Sequence, residues 1–229
     1  MLKIALLYPE LLGTYGDGGN AVVLAERARR RGIEARTVTI SMADPLEAAD
    51  IYLLGGGEDG PQRQARDLLA AGSLGSRVAD GAGVLAVCAG LQILGDTFAV
   101  EGDDAYDGLG LVAMTTVRGT RRSVGEIAVE VGGHTLVGFE NHGGRTKLAR
   151  GVAPLGAVQR GQGNDGMSDG FRAPRLWGTY AHGPVLALNP WFADEILADV
   201  LGAPLEPLAS VADVLYEERL ASVMARRAG

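Results

Sequence analysis

Sulfur and imidazole are scarce in this chain of 229 residues. There is one cysteine, Cys88. That excludes a disulfide framework and a multi-thiolate zinc site, and a reducing compartment costs such a chain nothing. The three histidines, His134, His142 and His182, show no ligand spacing, which argues against a His/Cys metal site. Basic charge is in deficit: 21 Lys and Arg against 28 Asp and Glu give a net charge of −7. A nucleic-acid binder needs a basic patch that this balance does not supply. Long apolar runs are missing too. The longest, residues 83–95, is interrupted by Gln92 and is too short for a bilayer, so no membrane span is expected. The opening MLKIALLYPE has no basic leader, long apolar stretch or small-residue cleavage site, and reads as a first β-strand.

Glycine, by contrast, is abundant, at 35 of 229 residues. The typical level is about 7%, and here the excess is not periodic but gathers where strands end, which points to tight functional turns. Short apolar strands are expected at residues 2–8, 34–40, 50–54 and 84–87. Helices are expected between them at 20–31, from 61 to about 71 and on to 81, and from Ala89. This alternation predicts an α/β fold of three layers, a mostly parallel central sheet flanked by helices. After Gly102 the texture changes. Strands at 109–117, 126–131, 135–139 and 155–159, separated by Gly-rich turns, are read as antiparallel additions to the same sheet, within one domain over 1–229. A late strand at 175–180 and helices at about 191–201 and 213–226 complete the chain. The basic run 27–31 reads as a solvated helix end, with partner contact as the alternative for it and for the GTYGDGGN loop.

The string VLAVCAGLQILG carries the strongest chemical signal. A four-residue apolar strand runs into Cys88, then Ala-Gly, then a helix. That is the layout of a nucleophile elbow, in which a sharp turn lifts the side chain above the sheet and small flanking residues avoid clashes. Ala86 stands where a Gly is usual. A helix N-terminus behind the sulfur favours thiolate. The bland alternative is a buried core cysteine. A second loop, LLGGGEDG, also closes a strand, where a Gly-rich backbone can aim an N–H at a developing oxyanion. It lacks the Lys-Ser/Thr of a phosphate loop. His182 follows the late strand and is the natural base and acid for a thiol near neutral pH. His134 reads as a turn residue and His142 as part of a Gly-rich loop.

Cys88-Ala89-Gly90-Leu91-Gln92 resembles the elbow of class I glutamine amidotransferases, and Tyr180-Ala181-His182-Gly183 the histidine motif of their cobyric-acid-synthase-like branch. With YPELLGTYGDGGN, LLGGGEDGPQ and FENHGGRT, the chain is similar to the GatD family, the glutaminase subunits of lipid II isoglutaminyl synthases. The resemblance covers about residues 8–191 and implies a flavodoxin-like fold. It further implies a Cys88 thioester of L-glutamine, His182 as proton carrier, and an oxyanion hole from the N–H groups of Gly56 and Ala89. Gln92 and an arginine would orient the substrate. Arg121 and Arg122 both qualify, and the string Arg122-Ser123-Val124-Gly125 favours Arg122. Most class I members carry a Glu two residues after the histidine, where this chain has Pro184, so a Cys-His dyad is expected, with Glu140 or Asp169 as substitutes from elsewhere. Also implied is a heterodimer with a MurT-type, Mur-ligase-like partner. That partner would hold ATP and Mg²⁺ and bind lipid II, so this chain needs no cofactor and sits in the cytoplasm at the inner membrane face. The alternatives are service to another synthetase, such as a cobyrinate-type amidation, or a non-catalytic flavodoxin-like binding module.

Overall fold

The structure, a computed structural model, describes residues 1–99 and 105–225. The first half builds a parallel sheet. Its elements are β1 (Leu2–Leu7), α1 (Pro9–Leu12), α2 (Gly19–Arg29), β2 (Ala35–Ile40), β3 (Ile51–Leu54), α3 (Asp59–Ala71), α4 (Leu74–Ala79), β4 (Gly83–Val87) and α5 (Ala89–Ile93). A mixed region follows: β5 (Thr97–Ala99), β6 (Ala105–Asp107), β7 (Met114–Val131), β8 (His134–Leu148), β9 (Gly156–Arg160) and β10 (Ser168–Asp169). The chain then returns through β11 (Phe171–Ala173), β12 (Leu176–Thr179), α6 (Val185–Leu188), α7 (Pro190–Leu201) and α8 (Val211–Ala225). The expected end of the last helix, Arg226, lies outside the described residues.

The first sheet has the order β11-β12-β4-β3-β1-β2, parallel except for β11. Every residue of β3 and β4 is buried, as parallel strands covered on both faces must be. From β1 the chain crosses to β2 on one side, then to β3 and β4 on the other. Right-handed crossovers therefore put α2 and α3 on opposite faces. In keeping with this, α2 packs with α6 and α7, and α3 with α1, α4 and α5. The reversal of strand order falls between β1 and β3, and a crevice opens at such a point outside the carboxyl ends of the strands.

Two expectations are corrected. The strands expected at 109–117, 126–131, 135–139 and 155–159 do not extend the first sheet but belong to a second one, β10-β9-β7-β5-β6, with β8 paired to β7. The expected strands at 109–117 and 126–131 fuse into β7, which runs 18 residues against β8. The intervening basic, glycine-containing stretch hid the continuity, because a two-stranded ribbon needs no alternating core pattern where it leaves the body of the protein. The basic run at the end of α2 divides: Arg29 and Arg30 are exposed, as a solvated helix end expects, but two of its arginines are not. Arg27 and Arg31 both grip Asp194 of α7, at 2.6 and 2.7 Å, and their side chains are only 7% and 6% exposed. Cations reached buried positions because a carboxylate distant in sequence met them, which periodicity does not reveal.

Candidate active site

Cys88 stands between β4 and α5 with φ 51° and ψ −107°. A non-glycine residue with positive φ is strained, and such strain is held only where the surroundings enforce it. Here they do. The Cys88 N–H donates to Thr179 of β12 at 2.9 Å, and its carbonyl accepts from Gln92 N–H at 3.1 Å. Gly90 makes the turn possible, since a Cβ there would lie 2.6 Å from Leu54 Cβ. The elbow read from the sequence is therefore present. The sulfur is largely buried yet borders a cavity of about 70 Å³ whose wall includes Gly57, Glu58, Arg122, Asn141 and Gly144.

His182 arrives from β12 and is fixed by the second sheet. Its backbone exchanges two hydrogen bonds with Phe139 of β8, at 2.7 and 3.1 Å. The imidazole is 2% exposed. Its Nδ1 meets Asp17 Oδ2 at 3.0 Å, while Nε2 has no hydrogen-bond partner. Burial works against the charged ring, but the Asp17 carboxylate and then the Cys88 sulfur outweigh it, and the pKa rises from 6.5 to about 9. The ring is thus an imidazolium at neutral pH.

The expected dyad is corrected here. An orienting carboxylate exists, and Asp17, in the GTYGDGGN loop, provides it. Neither expected substitute does so. Glu140 pairs with His142 at 3.0 Å and accepts the N–H groups of Gln162 and Gly163. Asp169 accepts from Thr179 Oγ1 at 2.6 Å and from Tyr180 N–H at 3.1 Å, and burial raises its pKa to about 6. Asp17 escaped the sequence reading because it lies 165 residues before its histidine. The one signal was its setting, an acid in a Gly-rich loop at the carboxyl end of β1, the same edge that receives Cys88.

Gly56 also departs from expectation. Its N–H donates to Asp17 Oδ2 at 2.9 Å and so is not free for an oxyanion. Gly57, the next residue, borders the cavity beside Ala89. Gln92 reaches the cavity wall, but its amide is engaged at both ends, accepting from Gln62 at 2.9 Å and donating to the Tyr180 hydroxyl at 3.1 Å. It braces the elbow. Of the two arginines, Arg122 borders the cavity. The register of β7 and β8 slips between Arg118 and Ser123, so residues 119–122 face Gly143 alone. This bulge throws Arg122 out of the ladder, as bulges re-aim side chains. Arg145 staples it by donating to the Arg121 carbonyl and to Ser123 Oγ, both at 3.0 Å. His142 lies in β8 rather than in a loop, and stacks on Tyr180 with ring centroids 3.9 Å apart. His134 opens β8 after the Gly132-Gly133 turn and stacks on Trp191. Among the described residues, no group of three or more His, Cys, Asp or Glu could hold a metal ion, and no helix is long and apolar enough to cross a membrane.

A profile of the CobB/CobQ-like glutamine amidotransferase domain matches residues 3–190. The chain belongs to that family. Among its relatives, the GatD subunit of the glutamine-hydrolysing lipid II isoglutaminyl synthase of Staphylococcus aureus (strain N315) is 35% identical, over 90% of this chain and 88% of that protein. The subunit of the same name from Streptococcus pneumoniae (strain ATCC BAA-255 / R6) is 34% identical, over 95% and 88%. A cobyrinate a,c-diamide synthase of Halobacterium salinarum is 34% identical, but the match covers only 38% of that longer protein. In structure, this amidotransferase superposes on a crystal structure of a glutamine amidotransferase with a TM-score of 0.62 at 21% identity, covering 86% of this chain and 98% of the other. The PurLQS structure from Thermotoga maritima gives a TM-score of 0.55 at 15% identity, covering 88% and 98%. These likenesses establish the fold.

Proposed function

We propose that this amidotransferase is the glutaminase subunit of a lipid II isoglutaminyl synthase, releasing ammonia from L-glutamine for a MurT-type, Mur-ligase-like partner. The observation that carries the chemistry is the strained Cys88 on a cavity wall, with His182 held by Asp17 behind it. The end use is supported by the two GatD relatives, each matched over nearly its whole length.

With the thiol proton held on His182, the sulfur of Cys88 attacks the side-chain carboxamide carbon of glutamine. The imidazolium of His182 gives its Nε2 proton to the departing ammonia, leaving a γ-glutamyl thioester. The neutral ring then takes a proton from water, hydroxide attacks the thioester, and glutamate leaves. Asp17 holds the ring at Nδ1 and stabilises the imidazolium. Negative charge on the tetrahedral oxygen is met by the Ala89 N–H, on the first turn of α5, and by Gly57, which takes the place expected for Gly56. Each such donor is typically worth roughly 3 kcal/mol of barrier. The cavity carries both signs of charge, Arg122 and Arg118 against Glu58 and Asp59, as the zwitterionic end of an amino acid requires. Arg122 offers a fork for the α-carboxylate.

Ammonia lost to solvent would be wasted, so the partner must sit against this subunit in a heterodimer. The partner holds ATP and Mg²⁺ and activates the α-carboxyl of D-glutamate in the lipid II stem peptide, and ammonia converts it to D-isoglutamine for peptidoglycan synthesis. The work belongs in the cytoplasm, at the membrane face where lipid II is held. The test is amidation of lipid II by the co-purified complex, followed by mass spectrometry. Cys88→Ala should abolish the glutamine-dependent product and spare the product formed from ammonium chloride. Undiminished glutamine-dependent amidation would overturn the chemistry. Amidation of a corrin acid and not of lipid II would overturn the end use.

A further inference from the structure

A bulge explains why Arg122 leaves its strand but not what aims it. Two side chains do. Arg122 Nε donates to Asn141 Oδ1 at 2.6 Å, and its Nη2 lies 3.4 Å from both the Tyr15 hydroxyl and the Asn141 carbonyl. Asn141 Nδ2 in turn donates to the Tyr15 hydroxyl at 3.1 Å. One edge of the guanidinium, Nε with Nη2, is therefore held by protein, which turns the Nη1 side towards a ligand. The same Tyr15 packs its ring on His182, with centroids 4.4 Å apart and planes tilted by 47°. Gly56 leaves the room for this contact. A Cβ there would lie 2.5 Å from His182 Cε1 and 3.0 Å from Tyr15 Cδ2. Tyr15 comes from the loop after α1, Arg122 from β7, Asn141 from β8 and His182 from beyond β12, so four separate segments of two sheets meet at one phenol.

We infer that Tyr15, acting with Asn141, is a positioning residue that joins the carboxylate fork to the proton carrier. Its hydroxyl sets the Arg122 fork and its ring restrains the imidazole. This rests on the reading of Arg122 as the holder of the substrate carboxylate. The two halves of the phenol do separable work, and that makes the inference testable. Losing the hydroxyl weakens the aim of Arg122 and so the binding of anything that carries an α-carboxylate. The bond comes from a charged guanidinium but is long, 3.4 Å, and exposed to solvent, so its loss is worth roughly three- to tenfold in affinity. Losing the ring frees His182 and slows every reaction of the Cys88 sulfur.

The experiment is inactivation of the full chain, co-purified with its partner ligase, by two electrophiles. Diazo-oxonorleucine carries the amino-acid end of glutamine, whereas iodoacetamide does not. Arg122→Ala is the reference and should raise the half-saturating concentration of diazo-oxonorleucine at least tenfold. Tyr15→Phe and Asn141→Ala should each raise it roughly three- to tenfold, with a smaller change in the limiting rate, and should leave iodoacetamide alkylation near wild type. Tyr15→Leu should slow both reagents. If Arg122→Ala binds diazo-oxonorleucine normally, the carboxylate reading of Arg122 fails, and this inference fails with it. If Arg122→Ala is impaired but Tyr15→Phe is saturated like wild type, only the role given to Tyr15 is overturned. Equal slowing of both reagents by Tyr15→Phe would also overturn it, since that is the mark of a merely structural tyrosine.

Discussion

Replacing Asp17 by Asn changes one charge and almost no volume, and it isolates what the buried carboxylate does. Asp17 Oδ2 accepts from both His182 Nδ1 and Gly56 N–H, at 3.0 and 2.9 Å. An Asn can place its oxygen there and keep both bonds, so the geometry survives. What is lost is the negative charge that, with the Cys88 sulfur, lifts the ring from 6.5 to about 9 against burial. That rise corresponds to about 3 kcal/mol in favour of the imidazolium. If neutralising Asp17 removes most of it, the acid that protonates ammonia is depleted and glutamine turnover falls by about a hundredfold. The pH dependence gives a second reading. A ring with a raised pKa contributes stability that is complete below its unfolded value near 6.5 and is lost as pH rises through about 9. The alkaline limb of kcat/KM should fall near pH 9 in the native enzyme, and at least one unit lower in Asp17→Asn. The assay is glutamate release by the complex between pH 6 and 10, with thermal melts to confirm folding. Turnover within threefold of native, with the alkaline limb unmoved, would refute the argument that Asp17 poises His182.

Other outcomes follow from single contacts. Gly56→Ala drives a methyl group into the imidazole, 2.5 Å from Cε1, so turnover should drop at least a hundredfold and urea unfolding should show a loss of about 1–3 kcal/mol from overpacking. Asp194→Ala strands Arg27 and Arg31, two cations packed between α2 and α7, and should cost about 3 kcal/mol in urea unfolding, with no change in KM for glutamine. Asp169 is fully buried and its folded pKa is raised to about 6, so its folded form holds a proton more tightly than the unfolded chain does. Its contribution to stability therefore falls as pH rises from about 4 to about 6, by about 3 kcal/mol, and the difference between native and Asp169→Asn in denaturant melts should shift by that amount in favour of the variant.

Where the catalytic machinery was readable in the sequence, the reason is local. The Cys88 elbow needs a buried strand, small flanking residues and a helix start within a dozen consecutive positions, and each is a short-range steric demand that leaves its mark in the letters. The buried parallel strands announce themselves in the same way, as apolar runs ending on glycine. Tertiary structure decided the rest, because the deciding contacts join distant positions. Asp17 finds His182 only after the loop beyond β1 and the end of β12 reach the same crevice. Gly56 spends its N–H on that carboxylate for the same reason. Arg122 enters the cavity through a slip in strand register, and register belongs to a pair of strands rather than to either sequence. The second sheet stands apart from the first because β7 and β8 pair with each other along nearly their whole length, a choice made by backbone hydrogen bonds that every residue except proline can supply.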